Sequence, residues 1–72
     1  MSEVQSIFFN SAKYNTRQAR TFLKKHNYKP IKKAHQTPNG FRYRLQLPSK
    51  YKDFRSEKID NGNIILVWGI MN

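Results

Sequence analysis

Several residue types are missing or scarce in this sequence. None of its 72 residues is cysteine, so neither a disulfide framework nor a thiolate metal site can stabilise it. No stretch reaches the roughly 18 apolar residues of a membrane span, and residues 1–6 lack the basic and apolar regions of a signal peptide. We therefore expect one small domain over residues 1–72 that is cytoplasmic, nuclear or packed inside a particle, is not secreted and has no membrane partner.

Acidic residues are the scarcest charged type. Four Asp and Glu stand against fourteen Lys and Arg, which gives a net charge of +10 and an isoelectric point near 10.3. Self-repulsion at this density destabilises a compact chain and favours an anionic partner, of which nucleic acid is the commonest. Two interpretations stay open: the partner is nucleic acid or another polyanion, or the surface is simply solvated and reflects the lysine bias of an AT-rich genome.

Residues for catalysis or metal binding are few. The sequence has two histidines, His26 and His35, and its four acids show no metal-ligand spacing, whereas a zinc site takes about four ligands. The three glycines stand singly, so there is no Gly-rich phosphate loop. We therefore expect no catalytic residue, no metal and no cofactor, and we expect that the protein is not an enzyme.

The clearest pattern lies in residues 37–48. Side chains alternate there with period two, which predicts a β-strand with one apolar and one polar face. The apolar set is Phe41, Tyr43, Leu45 and Leu47. The polar set is Arg42, Arg44 and Gln46. The two guanidinium groups therefore lie about 7 Å apart on one face, and Asn39-Gly40 supplies the positive-φ residues of a tight hairpin turn.

The rings and the arginines of this strand have separate predicted roles. So small a domain needs its aromatic side chains in the core, so we expect Tyr43 to be buried and Arg42 and Arg44 to contact phosphates in a sequence-tolerant way. A surface that stacks bases on rings beside cations is the alternative, but the alternation puts Tyr43 and the arginines on opposite faces. A further possibility is that both arginines pair with acids of the domain. Those acids are Asp53, Glu57 and Asp60.

One helix is predicted over residues 16–27. Asn15 is a suitable N-cap with Gln18 three residues later, and Asn27 is a suitable left-handed terminator before Pro30. The apolar stripe is Ala19, Phe22, Leu23 and His26. The basic face is Arg17, Arg20 and Lys24, with Lys25 beside it. Such a face is more often simply solvated, but the lack of a compensating acid raises the odds of phosphate contact.

Two more strands are predicted before the arginine strand. Residues 4–9 form the first, in which Val4, Ser6 and Phe8 face one way and the intervening residues face the other. Residues 31–36 form a second, weakly patterned strand that pairs antiparallel with the arginine strand. Its Lys32 and Lys33 suit a sheet edge, where charge discourages aggregation.

The last third of the chain predicts one interior strand. Residues 48–60 are polar and form either a surface loop or one helical turn that tucks Tyr51 and Phe54 against the core. Residues 63–71 are apolar on both faces, which is typical of a central strand covered on both sides. Because one helix covers only one side, either the preceding polar segment or a second copy of the chain covers the other.

Together these segments predict an α+β fold. We expect a small three- or four-stranded, mainly antiparallel sheet with one helix packed on one face, in the order β-α-β-β-β. A homodimer through the uncovered sheet face is a possible oligomer.

Several short motifs follow one another in this chain. In order, they are Leu23-Lys24-Lys25-His26, Arg42-Tyr43-Arg44-Leu45-Gln46, Pro48, Arg55 and the apolar, Gly-terminated strand 65–69. This succession over residues 16–70 resembles a module of prophage head-gene-cluster proteins and of small uncharacterised proteins of large DNA viruses. The module has Trp before Leu in the helix, where Phe22 keeps the bulk. The resemblance implies a viral setting and a small α+β fold, and it assigns no role to Arg42 or Arg44.

We therefore expect a small basic viral or phage-type protein that binds nucleic acid mainly through phosphate contacts. It would be associated with the genome in the virion, or lie in the host cytoplasm or nucleus. The candidate binding residues are Arg17, Arg20, Lys24, Lys25, Lys32, Lys33, Arg42, Arg44 and Arg55. Two alternatives stay open. One is a virion structural or assembly protein whose basic surface binds an acidic protein, and the other is an inhibitor of a host nucleic-acid enzyme.

Overall fold

One α-helix packs on one face of a five-stranded sheet. The structure, a computed structural model, describes residues 2–71. Its elements are β1 (Ser2–Asn10), α1 (Thr16–Lys25), β2 (His35–Thr37), β3 (Gly40–Arg44), β4 (Asp53–Ile59) and β5 (Ile64–Ile70), with short 3-10 turns at Pro48–Lys50 and Asp60–Gly62. The strand order is β2-β3-β1-β5-β4, with antiparallel neighbours. The α+β class is confirmed, with more strands than the three or four predicted.

β1 lies at the centre of the sheet and carries the middle of the core. Phe9 pairs with Phe41 of β3 on one side and with Ile64 of β5 on the other. Its ring is fully buried, stacks on Phe41 at 5.7 Å and meets Phe22 of α1 edge-on at 5.6 Å. Leu23 is the second large apolar side chain that α1 buries against this sheet face. The core is therefore an aromatic layer between α1 and the central strands.

A β-bulge between Val4 and Ser6 changes which side chains of β1 face α1. Beyond the bulge Val4 joins Ile7 in the core, so the predicted grouping of Val4 with Ser6 and Phe8 is wrong. The extra residue, Gln5, is buried, and its side-chain amide donates to the Gln46 carbonyl at 2.8 Å. The bulge therefore ties the chain that follows β3 to the start of β1.

Both ends of α1 have local sequence causes. The Asn15 side chain accepts from the Gln18 backbone N–H at 2.8 Å, and the Gln18 side chain accepts from the Asn15 N–H at 3.0 Å, which completes the predicted capping box. Asn27 has φ 59°, and the N–H of Tyr28 returns to the Leu23 carbonyl at 2.8 Å, as in a Schellman motif. The helix itself ends at Lys25, two residues before the predicted end, and His26, which was predicted to lie on the apolar stripe, is exposed.

The turn between β2 and β3 forms where predicted but not in the predicted conformation. In residues 2–71, positive φ is confined to Asn27 and the 60–62 turn, so Asn39-Gly40 does not supply it. Pro38 fixes φ at the first central position instead, and Thr37 Oγ1 accepts from the Gly40 N–H at 3.1 Å. Glycine is needed at position 40 for close approach, because a Cβ there would lie 2.0 Å from the Phe9 carbonyl oxygen.

β4 replaces the loop or helical turn predicted within residues 48–60. It is an edge strand whose side chains are exposed up to Ile59, so it has no apolar alternation to reveal it. Tyr51 is buried, as in the helical-turn alternative, but Phe54 is 42% exposed, so the two rings are not both against the core. Leu47 is 54% exposed because β3 ends at Arg44, before the predicted apolar face reaches it. β5 is interior, between β1 and β4, as its composition predicted.

The described helix is also short. Within residues 2–71, no helix is both long and apolar enough to cross a membrane.

The basic strand predicted over residues 31–36 is shorter in the structure, where only β2 forms, so Lys32 and Lys33 lie in the segment before it rather than in the sheet. These two lysines therefore stand beside the sheet edge, where they can reach either face of it.

Candidate nucleic-acid interface

The fold separates basic from acidic residues. The segment between Glu3 and Asp53 contains no Asp or Glu. The same segment contains every Lys and Arg of the chain except Arg55 and Lys58. Three of the four acids lie in β4 or in the turn after it. β2 and β4 are opposite edges of the sheet, about 19 Å apart at four strand spacings. The protein therefore has one basic edge and one edge that holds most of its acids.

Glu3, the remaining acid, is already neutralised. Its carboxylate lies 2.8 Å from Lys50 Nζ and accepts a hydrogen bond from the Tyr51 hydroxyl at 2.6 Å. Lys50 and then Tyr51 hold the pKa of this carboxyl below its usual range. Within residues 2–71 the Lys50–Glu3 contact is the single salt bridge. Arg42 and Arg44 thus form no ion pair with any residue in the described part of the chain.

The acids of β4 and its turn have polar partners of their own. Glu57 accepts from Trp68 Nε1 at 2.9 Å, and Asp53 accepts from the backbone N–H that follows it at 2.8 Å. Asp60 accepts from the Tyr14 hydroxyl, and this hydrogen bond raises the pKa of that tyrosine. The pairing of the β3 arginines with these acids, which stayed open from the sequence, is therefore absent from the described part of the chain.

The sheet face opposite α1, here called the open face, brings the two arginines beside an aromatic ring. The strand registers place one row across all five strands. That row is His35, Arg42, Phe8, Ile65 and Lys58. Neighbours in it are about 4.8 Å apart, so the half-buried Phe8 lies between Arg42 and Ile65. The prediction that Tyr43 and the β3 arginines point to opposite faces is confirmed, since Tyr43 is buried and both arginines are exposed. The ring that shares the open face with the arginines comes from β1 instead.

Arg42 and Arg44 belong to a cluster of cations at the β2 edge. This basic cluster lines a concavity of about 330 Å³, and its charged or titratable members are exposed. They are Lys32, Lys33, His35, Arg42 and Arg44. The lining residues found within the described chain include no acid. Four of the nine predicted binding residues thus come together because the 32–33 segment turns back beside β3.

A groove between α1 and residues 28–34 continues the basic surface. It has a volume of about 1070 Å³ and an apolar floor that includes Leu23, Tyr28 and Tyr43. Its cations are Arg20, Lys24, Lys29, Lys32 and Lys33. The Ile31 N–H donates to the Arg44 carbonyl at 2.9 Å and anchors this segment to the end of β3. Since Lys32 and Lys33 line both hollows, the basic surface runs from α1 around the β2 edge to the open face.

Three predicted residues lie outside these two hollows. Arg17 and Lys25 are exposed on α1 but do not line the groove. Arg55 lies on β4, opposite Trp68, at the edge that holds most acids. The sequence prediction also missed His35 and Phe8. Alternation along β1 does separate Phe8 from the core-facing Phe9, but only the register with β3 shows that it adjoins the arginines.

Tyr51 closes one end of the open face. Its ring lies over Gly69, where a Cβ would stand 2.4 Å from the ring, and this explains the glycine in an otherwise bulky strand. Phe54 meets the Tyr51 ring edge-on at 5.8 Å. The segment before β4 thus covers part of the face that the sequence left uncovered. The centre of the face, around Phe8 and Ile65, stays half-buried.

Burial of Tyr51 and its hydrogen bond to Glu3 make the folding stability depend on pH in the alkaline range. Burial, and then the hydrogen bond to Glu3, raise the pKa of Tyr51 to about 12. An unfolded tyrosine ionises near pH ~10, so the stabilisation is complete below that pH and is lost as the pH rises through the folded-state pKa. We expect the free energy of unfolding to fall more steeply across this window for the wild type than for Tyr51→Phe. Urea titrations at several pH values measure both slopes, and equal slopes contradict the expectation.

Comparison with known proteins adds no relative. No protein family, curated protein or solved structure matches the chain. Among residues 2–71, no three His, Asp or Glu side chains come together as a bound metal ion would require. The geometry and charge of the basic surface are therefore the features that indicate a function.

Proposed function

We propose that this chain is a small basic protein that binds nucleic acid mainly through phosphate contacts. The observation that carries the proposal is the continuous cationic surface from α1 to the open face, whose two hollows are lined by no acid of residues 2–71. Following the resemblance of its motifs, we place it in a viral or phage setting, with the genome in the virion or in the host cytoplasm or nucleus.

Charge separation favours a bound polyanion over a merely solvated surface. A solvated surface needs no particular distribution, whereas here the acids are held at the far edge or neutralised by Lys50. The repulsion among the clustered cations is relieved when a phosphate backbone neutralises them and releases its counterions. Arg42 and Arg44 also lie about 7 Å apart on one face, so that one strand can meet both with different phosphates.

The proposal predicts binding to DNA or RNA that weakens steeply with salt. If about five phosphates are neutralised, the plot of log affinity against log salt concentration has a slope of about −3.5 to −4.5. A gel shift repeated over a salt series measures it, with single-stranded and duplex probes of the same sequence. The absence of any retarded band at about 50 mM salt would contradict the proposal.

A second candidate is a virion structural or assembly protein. The half-buried Phe8, Ile65 and Val67 at the centre of the open face, together with the exposed Phe54, form an apolar surface that suits a protein partner. This candidate predicts a defined oligomer, or binding to an acidic protein, with little affinity for nucleic acid. Analytical ultracentrifugation of the purified protein, beside the gel shift, separates the two candidates.

A further inference from the structure

We propose that the open face binds a single strand of nucleic acid, with one base stacked on Phe8 and its phosphates held by Arg42 and Arg44. This inference rests on the proposed function and adds to it the strand class and the base contact. Sheet surfaces that bind single strands combine these elements: a ring with an accessible face and cations that follow the backbone.

The surroundings of Phe8 leave room for a base. On the open face, the register places Arg42 and Ile65 directly opposite Phe8. Its other neighbours there are Ser6 and Asn10 along β1 and, diagonally, Gly40, Arg44 and Val67. A Cβ added to Gly40 would lie 2.7 Å from the tip of the Phe8 ring, so the ring leans over the glycine and occupies the space that a side chain would take. Ser6 is small, and the ring itself is only half-buried. On the side toward Gly40, the register places Gly40 and Asn10 beside the ring, while the larger Arg44 and Val67 lie on the opposite side.

The charges on this face favour an anionic occupant. Arg42 and Arg44 lie on one side of Phe8, and Lys58 lies at the other end of the same row. Within the described residues, Glu3 is the one acid whose register places it on this face, and it is bound by Lys50 and Tyr51 at the far end. A nucleotide has a flat base next to a charged phosphate, and Phe8 beside Arg42 offers a ring for the base and a cation for the phosphate.

A duplex and a second copy of the chain fit this face less well. Five strands span about 19 Å, whereas the major groove, about 12 Å wide, admits a helix or a two-stranded ribbon. In a duplex the bases are also already stacked on one another. A symmetric dimer through this face would bring the cations of one copy close to those of the other, and like charges across an interface weaken it. A single strand avoids both conflicts.

The test compares three fluorescent probes of about ten nucleotides by anisotropy: a single strand, its duplex, and an abasic strand with the same number of phosphates. We expect the single strand to bind about 5- to 100-fold more tightly than the abasic strand, which is the value of one stacked base. Phe8→Leu should remove this preference and leave abasic binding unchanged, whereas Phe8→Tyr should keep it. Phe54→Leu is the matched control, and it should keep the preference too.

Each other result has a definite meaning. Equal affinity for the single and abasic strands, or no effect of Phe8→Leu, overturns the base contact and leaves the proposed function standing. No binding of any probe overturns both. A dimer that dissociates on Phe8→Leu also overturns the inference, because the face is then an interface between copies. If Phe8→Leu does not fold by circular dichroism, photocrosslinking of the wild type to an iodouracil strand decides: we expect the crosslink in the tryptic peptide ending at Lys13, and a crosslink elsewhere overturns the inference.

Discussion

A Phe9→Ala variant is expected to lose about 3–5 kcal/mol of folding free energy, the usual cost of truncating a buried Phe. Phe9 is fully buried, and its ring centroid lies within 6.0 Å of four other ring centroids. These rings belong to Tyr14, Phe22, Phe41 and Tyr43. A domain of this size has a total stability of about 4–11 kcal/mol. The variant should therefore lose between about a quarter and all of the wild-type stability and unfold at a much lower urea concentration.

Phe54→Ala is the matched control for this prediction. It makes the same chemical change at a side chain that is 42% exposed and lies on an edge strand, so the expected loss is within about 1 kcal/mol. Urea unfolding followed by circular dichroism compares both variants with the wild type. Similar losses at the two positions would contradict the description of the core as an aromatic layer around β1.

Glutamine at Lys32, Lys33, Arg42 and Arg44 together is expected to weaken nucleic-acid binding by about three orders of magnitude at roughly 0.1 M salt. Each phosphate contact contributes about 0.7–0.9 to the slope of log affinity against log salt concentration. At roughly 0.1 M salt, one logarithmic unit below 1 M, the loss of four contacts therefore lowers the affinity by about 2.8–3.6 logarithmic units. The four side chains are exposed and line one concavity, so their loss leaves the core untouched. Fluorescence anisotropy measures the affinity, and thermal melting checks that folding survives.

The control for this variant removes the same charge elsewhere. Glutamine at Lys13, Arg17, Lys52 and Arg55 also lowers the net charge by four, at exposed positions that line neither the basic cluster nor the groove. General attraction to a polyanion falls equally in both variants, whereas direct contacts are lost only in the first. We expect the control to weaken binding by about tenfold or less.

Elements with a local cause could be predicted from the sequence. The capping box at Asn15 and Gln18 and the left-handed Asn27 act within a few residues of the helix ends, and both are present. The alternation around Arg42 reflects burial of one face of β3, and the sheet obeys it up to Arg44. The α+β class follows because these signals identify one helix among several strands.

Features that depend on distant residues could not be predicted. β4 is exposed on both faces, so its pairing with β5 carries no apolar pattern in the sequence. The bulge that turns Val4 inward depends on the backbone of Gln5 receiving Leu45 and Gln46, some forty residues away. Gly40 looked like a turn glycine, but the carbonyl of Phe9 on the neighbouring strand determines its role.

The candidate site shows the same division. One short hairpin, β2–β3, brings Lys32 and Lys33 close to the β3 arginines. Their grouping could therefore be predicted from the sequence. The contribution of Phe8 depends on the register between β1 and β3. These strands are separated in the sequence by α1 and β2, so no local pattern indicates their register. Arg55 is one of the predicted binding residues, and the order of strands places it at the edge opposite β2.

The most direct test of the basic surface is the salt dependence of binding measured side by side for the wild type and the two four-charge variants. The slope of log affinity against log salt concentration should be shallower than wild type by about 2.8–3.6 in the variant that lacks Lys32, Lys33, Arg42 and Arg44, because four phosphate contacts are lost. The control variant should change the slope by about 1 or less, because it loses general attraction but no direct phosphate contact. An equal change of slope in both variants would contradict the account, since binding would then follow the net charge and not a site at the β2 edge.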